Sequence, residues 1–227
     1  MPTIDRPKSL TTIVAERLRA AIIDGSIELG SLLSEKALAE QFGTSKTPVR
    51  EAIVQLQSLR LVEVLPQRGG IVFRPTVEQV REICEVRLEL EVIAFRLAME
   101  RNHEAFEKAL ARIVHDMSTV CDVKGPLAYQ RLDNEFHYCF FEHCGNSLLA
   151  DAYELFAPRI CALRTHLSTP QPTLLSRSLG EHKQLLRFVK MRDVHSATEL
   201  LKTHINRTRE CHSKFLSETQ QAAAIRA

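Results

Sequence analysis

Apolar residues recur at helical spacing near the start of the chain and predict two short helices. The first runs from the cap residue Ser9 to about Asp24, closed by Gly25. The second covers residues 35–42, with Ser34 as its cap. The predicted apolar stripe of the first helix consists of Leu10, Val14, Leu18, Ala21 and Ile22.

A third helix follows a tight turn that begins at Gly43. Thr47 suits the cap position and Pro48 the first helical position, so the helix is predicted to run from there to about Leu59. Two short helices joined by a tight turn form a helix-turn-helix. The inward positions of the third helix are Val49, Ile53, Leu56 and Leu59.

The pattern then changes from helical to extended. Residues 61–65 and 71–73 read as strands, and the PQRGG segment at 66–70 reads as the turn between them. Strand, turn and strand after a helix-turn-helix predict a wing. We therefore expect residues 1–75 to form a winged helix-turn-helix DNA-binding domain.

The remaining residues, 76–227, show helical periodicity and no strand pattern. Thr76 and Gln79 form a capping box that opens a long helix to about Glu100. Turn residues separate the segments that follow. The chain is thus predicted to be mainly α, with an all-helical antiparallel bundle after the winged domain. Its further helices are expected at 103–121, 126–143, 146–167, 175–190 and 193–217.

Charge and composition also divide the chain near residue 75. Residues 1–75 carry 10 Lys/Arg and 8 Asp/Glu, whereas the remainder carries 20 of each and all nine histidines. The six cysteines show no CxxC spacing, which argues against zinc fingers and a disulfide scaffold. The sequence contains no apolar run of membrane-spanning length and no signal peptide, so we expect a cytoplasmic protein without a membrane partner.

Candidate DNA contacts cluster at the start of the third helix and in the wing turn. In this motif the N-terminus of the recognition helix reaches base edges, and hydroxyls and glycine turns approach phosphates. A single such residue is more often a solvated surface group, but their joint placement favours double-stranded DNA. The candidates are Ser45, Lys46, Thr47, Arg50, Arg68 and Gly69.

The segment LSEKALAEQFGTSKTPVREA at residues 33–52 resembles the winged helix-turn-helix of GntR-family bacterial transcription regulators. The family pattern there is close to LSE-x-x-LAE-x-FG-x-SRTPVREAL, and the wing turn at 66–70 is similar too. Lys46 stands where the family has arginine, and Arg60 where it has glycine. The resemblance implies a bacterial regulator that binds a palindromic operator as a homodimer, more often a repressor than an activator.

Four candidate metal ligands fall on inward faces of predicted helices. Asp133 and His137 lie four residues apart on one of them. His182 and His204 lie eleven residues before and after Asp193, so a helical hairpin would bring them to similar height, about 16 Å from the turn. Each alone reads as a core histidine or a paired aspartate. Together they predict a divalent metal site, with zinc favoured and nickel or manganese as alternatives.

Arg87 falls on the buried face of the first long helix, one turn before Glu91. Two interpretations stay open: a buried Arg87–Glu91 pair, or a cavity where Arg87 meets an anionic ligand. Residues 76–217 resemble the FCD ligand-sensing domain of the FadR-like branch of the GntR family. That resemblance implies a metal bound by the four candidates and a small carboxylate effector contacted by Arg87.

Other functions fit the same predicted cluster. Three histidines and a carboxylate with an open position also suit a metal-dependent enzyme, and a purely structural metal would need no effector. No general base is evident beside the cluster, and an enzyme would leave the DNA-binding domain unexplained. We therefore expect a metabolite-responsive regulator without catalytic residues.

Overall fold

The chain is mostly helical and divides into two compact units, Met1–Arg74 and Pro75–Ala227. The computed structural model describes residues 8–66, 69–123 and 125–226. In these ranges no helix combines the length and apolarity needed to cross a membrane. The predicted fold class is confirmed, because a winged helix-turn-helix precedes an all-helical unit.

The first unit packs three helices on a small antiparallel sheet with strand order β1-β3-β2. Ser9 caps α1 and Ser34 caps α2, each accepting a hydrogen bond from a backbone N–H of the first turn, as predicted. The core joins the helices through Leu18, Ile22, Val49 and Ile53. Its elements are α1 (Leu10–Ile23), β1 (Leu32–Leu33), α2 (Glu35–Phe42), α3 (Lys46–Ser58), β2 (Val62–Leu65) and β3 (Gly69–Val72).

Three details of this unit differ from the sequence prediction. The helix α3 begins at Lys46 rather than Pro48, because proline is tolerated anywhere in a first turn whose N–H groups lack intrahelical partners. Leu10 is exposed rather than part of the core. The strand β1 was missed, since two residues are too few to show a period.

The second unit consists of helices around the long first one, α4. The predicted capping box at Thr76 and Gln79 is present, with both reciprocal hydrogen bonds. The elements are α4 (Val77–Arg101), α5 (His103–Val123), α6 (Pro126–His143), α7 (Ser147–Glu154), α8 (Ala157–Leu163), a π-helical segment (Arg164–Ser168), α9 (Pro172–Lys190) and α10 (Val194–Arg226).

The single helix expected at 146–167 is wrong, because three segments replace it. Pro158 has no N–H to donate, and its ring would clash with the carbonyl of Glu154 in a continuous helix. The helix α7 accordingly ends at Glu154, and α8 carries Pro158 in its first turn. The π-helical segment then shifts the phase of the side chains that follow Leu163.

Four helices surround a polar centre in this unit. The helix α4 packs against α6 and α10, and α9 packs against α10. A buried arginine and a buried glutamate project from α4, Arg87 and Glu91. Because unpaired buried charges are costly, the facing helices must supply partners for them. These partners, together with three histidines, form the candidate site.

Candidate metal and effector site and the DNA-binding face

Three buried histidines from three helices meet at one point. His137 projects from α6, His182 from α9 and His204 from α10, and one ligand atom of each lies within 4.8 Å of those of the other two. The ring centroids are 5.4 Å apart for His137 and His182, 5.3 Å for His137 and His204, and 4.9 Å for His182 and His204. His182 and His204 thus meet as the hairpin argument from the sequence expected, and His137 joins them from a third helix.

Carboxylates orient two of these rings. The Nδ1 atom of His137 lies 2.7 Å from Oε2 of Glu91, and Nδ1 of His204 lies 2.7 Å from Oε2 of Glu181. A ring that donates from Nδ1 keeps the lone pair on Nε2, and a carboxylate is one of the usual acceptors for the second N–H of a metal-binding histidine. Both rings therefore present Nε2 as the potential ligand.

The ring of His182, the third histidine, is held by aromatic side chains instead of a carboxylate. Its Nδ1 lies 3.5 Å from the hydroxyl of Tyr129, and its ring stacks on Phe136 at a centroid distance of 4.1 Å. Its Nε2 is buried and has no hydrogen-bond partner among the described residues. A buried ring nitrogen without a partner needs an explanation, and a bound cation is one.

The environment holds the three imidazoles neutral. Burial lowers the pKa of His137 and His182 well below the usual range, and the Arg164 charge lowers both further. Burial also lowers the pKa of His204, although the hydrogen bond to Glu181 opposes this. Neutral imidazole is the form that binds a metal, so little proton release would accompany binding here.

Asp133, the fourth predicted ligand, lies beside this group. Its Oδ1 is 3.7 Å from Nε2 of His182, and its Oδ2 is 3.5 Å from Nη1 of Arg164. Two ligand atoms bonded at about 2.0 Å in a tetrahedron are about 3.3 Å apart, so the first separation is close to what a shared ion requires. The residue types and their spacing therefore suit a divalent cation.

Arg87 occupies the centre of the site and forms the pair that one of the two interpretations predicted, while its contact with an anionic ligand stays a prediction. It is 2 % exposed, and its Nε lies 2.7 Å from Oε1 of Glu91, so the predicted pair exists. Its Nη2 lies 3.2 Å from Nε2 of His137. Arg87 therefore contacts the ring nitrogen that would bind a metal, and it also lines the adjoining cavity.

Three further charged residues of the site were missed by sequence reasoning. Arg164 lies 3.2 Å from Glu91 and 2.9 Å from the side chain of Asn134 through its two Nη atoms. Glu181 contacts His204 and accepts a second hydrogen bond from Nε of Arg207 at 3.0 Å. Arg164 had no periodic signal because it begins the π-helical segment, where the helical phase changes.

A small polar cavity adjoins the histidines. The volume open to the centre of a water molecule is about 10 Å³, which corresponds to roughly one water. A ligand of several heavy atoms therefore requires the walls to move. The lining residues are mostly polar: Arg87, Tyr129, Gln130, Asp133, Arg164, Ser168, Leu175, Ser178, His204 and Thr208.

A second group of potential ligands lies near the end of α6 but fits a metal poorly. It comprises Cys139, Glu142 and His143. Nδ1 of His143 lies 3.0 Å from the carbonyl oxygen of Cys139 and donates a proton there, which leaves only Nε2 of this ring for an ion. Burial raises the pKa of the Cys139 thiol to about 12, which disfavours the thiolate that metals bind.

The predicted DNA contacts are exposed at the start of α3. Ser45 occupies the N-cap without a side-chain capping bond, and Lys46, Thr47 and Arg50 follow in the first turns. The guanidinium of Arg50 is held by Glu35 of α2, with Nε–Oε1 at 3.0 Å and Nη2–Oε2 at 2.7 Å. The start of α3 therefore offers hydroxyls, the ammonium group of Lys46 and an oriented guanidinium.

Of the two wing residues predicted to contact DNA, the structure describes only Gly69. Arg68 lies outside the described residues. Gly69 is buried at a φ of +100°, and a Cβ there would lie 2.0 Å from the carbonyl oxygen of Leu33. The close approach of β1 and β3 thus requires glycine at this position, which gives Gly69 a packing role.

Comparison with known proteins places this architecture in a family. Residues 10–72 match bacterial regulatory proteins of the gntR family, and residues 82–207 match the FCD domain. The chain belongs to the GntR family of transcription regulators, with an FCD domain after the DNA-binding domain. It is a regulator and not an enzyme, as expected from the sequence.

Individual relatives agree with this assignment. The gluconate operon transcriptional repressor of Bacillus subtilis (strain 168) is 28 % identical over 79 % of this chain and 75 % of its own length. The HTH-type transcriptional repressor RspR of Escherichia coli (strain K12) is 26 % identical over 85 % of this chain and 84 % of its own length. The solved structure of E. coli McbR/YncC covers 96 % of this chain and 97 % of that chain, with 26 % identity and a TM-score of 0.73.

Proposed function

We propose that this regulator is a metabolite-responsive repressor that binds a palindromic operator as a homodimer. Its sensor domain would hold a divalent metal and bind a small organic acid beside it. The observation that carries the proposal is the meeting of three neutral imidazoles with two buried arginines, Arg87 and Arg164. Two of the relatives described above are named as repressors, which supports the direction of control.

The metal would be held by His137, His182, His204 and Asp133. Imidazole suits zinc and nickel, and the carboxylate also permits manganese. When bound, the ion would supply a positive charge and an open coordination position for an acidic ligand. Elemental analysis of protein purified without added metal tests this, because we expect close to one equivalent per chain.

The buried charges of the site support an anionic effector. Arg87 and Arg164 face the carboxylates of Glu91 and Asp133, so two positive charges balance two negative ones before any cation binds. A divalent cation would add two positive charges in a buried place, where an uncompensated charge is costly. A carboxylate would offset part of that excess and accept hydrogen bonds from the guanidinium groups.

A binding screen distinguishes effector sensing from a purely structural metal. Small carboxylic acids, sugar acids included because one relative is named for the gluconate operon, are tested by thermal shift with and without a chelator. An acid that raises the melting temperature only in the metal-loaded protein supports the proposal. A metal that stabilises the fold while no acid binds would indicate a structural role.

The homodimer is supported by an apolar surface on the sensor domain. Three apolar side chains on two helices that pack together are exposed: Ile93 on α4 is 43 % exposed, and Leu148 in α7 and Leu155 at its end are 78 % and 57 % exposed. Exposed apolar surface is typical of interfaces. Ile93→Lys should raise the monomer fraction in sedimentation velocity, whereas Glu104→Lys, at an exposed position of a different helix, α5, serves as the control.

Operator recognition would depend on the start of α3. A dimer offers two recognition helices, each of which reads one half-site, so a palindrome is expected. Arg50→Ala should cost about 1–3 kcal/mol of specific binding free energy if Arg50 contacts a base. Lys46→Ala and Arg68→Ala should instead weaken all sequences alike and flatten the salt dependence. Unchanged operator affinity of Arg50→Ala in an anisotropy titration would exclude that role.

A further inference from the structure

The contact between Glu35 and Arg50 is a side-on pair between the two helices of the helix-turn-helix. Glu35 is the first residue of α2, and Arg50 lies in α3. Both carboxylate oxygens are used: Oε1 accepts from Nε at 3.0 Å, and Oε2 accepts from Nη2 at 2.7 Å. The contact therefore fixes the rotation of the guanidinium plane as well as its position.

A guanidinium has more than one edge that can donate a pair of hydrogen bonds. Its five N–H groups lie in a rigid plane, and the Nε–Nη2 edge is separate from the Nη1–Nη2 edge. The carboxylate of Glu35 occupies only the first of these. The second edge keeps the two donors that pair with O6 and N7 of a guanine in the major groove.

The exposure of the two side chains gives the pair a direction. The side chain of Glu35 is 17 % exposed, whereas that of Arg50 is 65 % exposed. The less exposed carboxylate is thus the fixed partner of the pair, and the guanidinium extends from it toward solvent. The position of Glu35 in the first turn of α2 favours a negative charge, because the helix dipole is positive there.

The surroundings of Glu35 also favour its ionised form. The hydrogen bond from Arg50 lowers the pKa of the Glu35 carboxyl, and the Arg50 and Lys46 charges lower it further. An ionised carboxylate repels a phosphate that approaches the same guanidinium. A neutral base edge meets no such repulsion, so the carboxylate distinguishes the two targets.

We propose that Glu35 is a positioning residue for sequence recognition. It holds the Nε–Nη2 edge of Arg50, so that the Nη1–Nη2 edge faces a guanine. This inference rests on the proposed base contact of Arg50. It adds that Arg50 discriminates between sequences only while Glu35 is ionised and in place. Without Glu35, the guanidinium is free to rotate toward phosphates, and binding becomes less selective.

The proposal predicts the effect of Glu35→Gln on base preference. The full-length wild type and its variants each select duplexes from a random-sequence pool, and the bound fractions are sequenced. We expect Arg50→Ala and Glu35→Gln to lose preference at the same base pair of each half-site. Glu40→Gln removes an exposed carboxylate that pairs with Lys36 on the same helix, and it should keep the wild-type preference.

Affinities measured by anisotropy complete the test. For the duplex selected by the wild type, Glu35→Gln should weaken binding about tenfold, while its binding to a scrambled duplex should be unchanged or tighter. Arg50→Lys removes the second guanidinium edge, so in that background Glu35→Gln should leave the ratio of the two affinities unchanged. Equal melting temperatures of the variants and the wild type show that the fold is intact.

The possible failures are distinguishable. If Arg50→Ala keeps every base preference, the base contact proposed for Arg50 is wrong. If Arg50→Ala loses a preference that Glu35→Gln retains, the positioning role of Glu35 is overturned. If Glu35→Gln binds the selected and scrambled duplexes more tightly by the same factor, Glu35 only masks a positive charge, which also overturns it.

Discussion

The guanidinium of Arg87 lies 3.2 Å from Nε2 of His137, the ring nitrogen that remains available once Nδ1 contacts Glu91. The same Nη2 atom lies 3.4 Å from Nδ1, so the guanidinium lies against the ring and is not directed at Nε2 alone. A cation bound at Nε2 would be repelled by this nearby positive charge and would displace this end of Arg87. The displaced donor would still be tethered to Glu91 through Nε and would be free to bind an acidic ligand.

Arg87→Met should therefore bind zinc more tightly than the wild type does. The variant keeps an apolar side chain of similar length but removes a competing donor and a nearby positive charge. A hydrogen bond to a charged group contributes about 1.5–3 kcal/mol, so the gain should be about ten- to hundredfold in affinity. A competition titration with a zinc indicator measures it.

The matched control is Arg112→Met, which changes an exposed arginine that pairs with Glu135 and Asp116. It should leave zinc affinity unchanged. Weaker zinc binding by Arg87→Met would contradict the competition and would indicate that Arg87 is needed to shape the site. Whatever its zinc affinity, Arg87→Met should also lose the response of operator affinity to carboxylic acids if Arg87 binds the effector.

His204→Ala should lose most of the bound metal, since it removes one of three imidazole ligands. Glu181→Gln should lower metal affinity about ten- to hundredfold, because it removes the carboxylate that orients His204. Elemental analysis and zinc titration provide the measurements, and His115→Ala, at an exposed position, provides the control. Full occupancy of the His204→Ala protein would show that the cluster is not the metal site.

His212 should make the metal-free protein sensitive to acid. Burial, followed by the Arg87 charge, lowers its pKa from 6.5 to about 3, and its Nε2 lies 2.7 Å from the hydroxyl of Ser168. The unfolded chain then binds a proton that the folded chain does not. The contribution of His212 to stability is complete above pH 6.5 and is lost as the pH falls toward 3.

His212→Gln should reduce this loss. Between pH 6 and 4 the free energy of unfolding should fall less steeply in the variant, by up to about 1.4 kcal/mol per pH unit. Urea unfolding in the presence of a chelator measures it, with His115→Gln as the control. Parallel pH profiles of His212→Gln and the wild type would contradict a neutral buried His212.

Arg60→Gly should stabilise the DNA-binding domain. Arg60 has a φ of +52°, in the left-handed region where a side chain costs about 1–2 kcal/mol. Glycine removes that cost but is more flexible in the unfolded chain, so we expect a net gain of about 1 kcal/mol or less. Arg60→Ala keeps the backbone strain and should show no gain. Thermal unfolding tests stability, and weaker binding of Arg60→Gly to a scrambled duplex would reveal a phosphate contact.

Local signals in the sequence predicted the three helices and the wing of the first unit and the ends of many helices, although they missed β1. Capping by Ser34, the capping box at Thr76 and the turn at Gly43 act within a few residues, so their physics is visible in the sequence. The same holds for the long motif at residues 33–52. The break at Glu154 was also encoded locally, by Pro158, although the periodicity of the segment suggested one continuous helix.

The sequence alone also indicated that Arg87 and the three histidines turn inward, but only the tertiary structure decided their partners and added Arg164 to them. Helical periodicity puts Arg87 and the three histidines on buried faces, because it depends only on spacing along one helix. Whether His204 contacts Glu181, or Arg164 reaches Glu91, depends on how separate helices pack and where the π-helical segment shifts the phase. Burial makes unpaired charges costly, so these pairings form together when the bundle closes, and no single segment of the sequence specifies them.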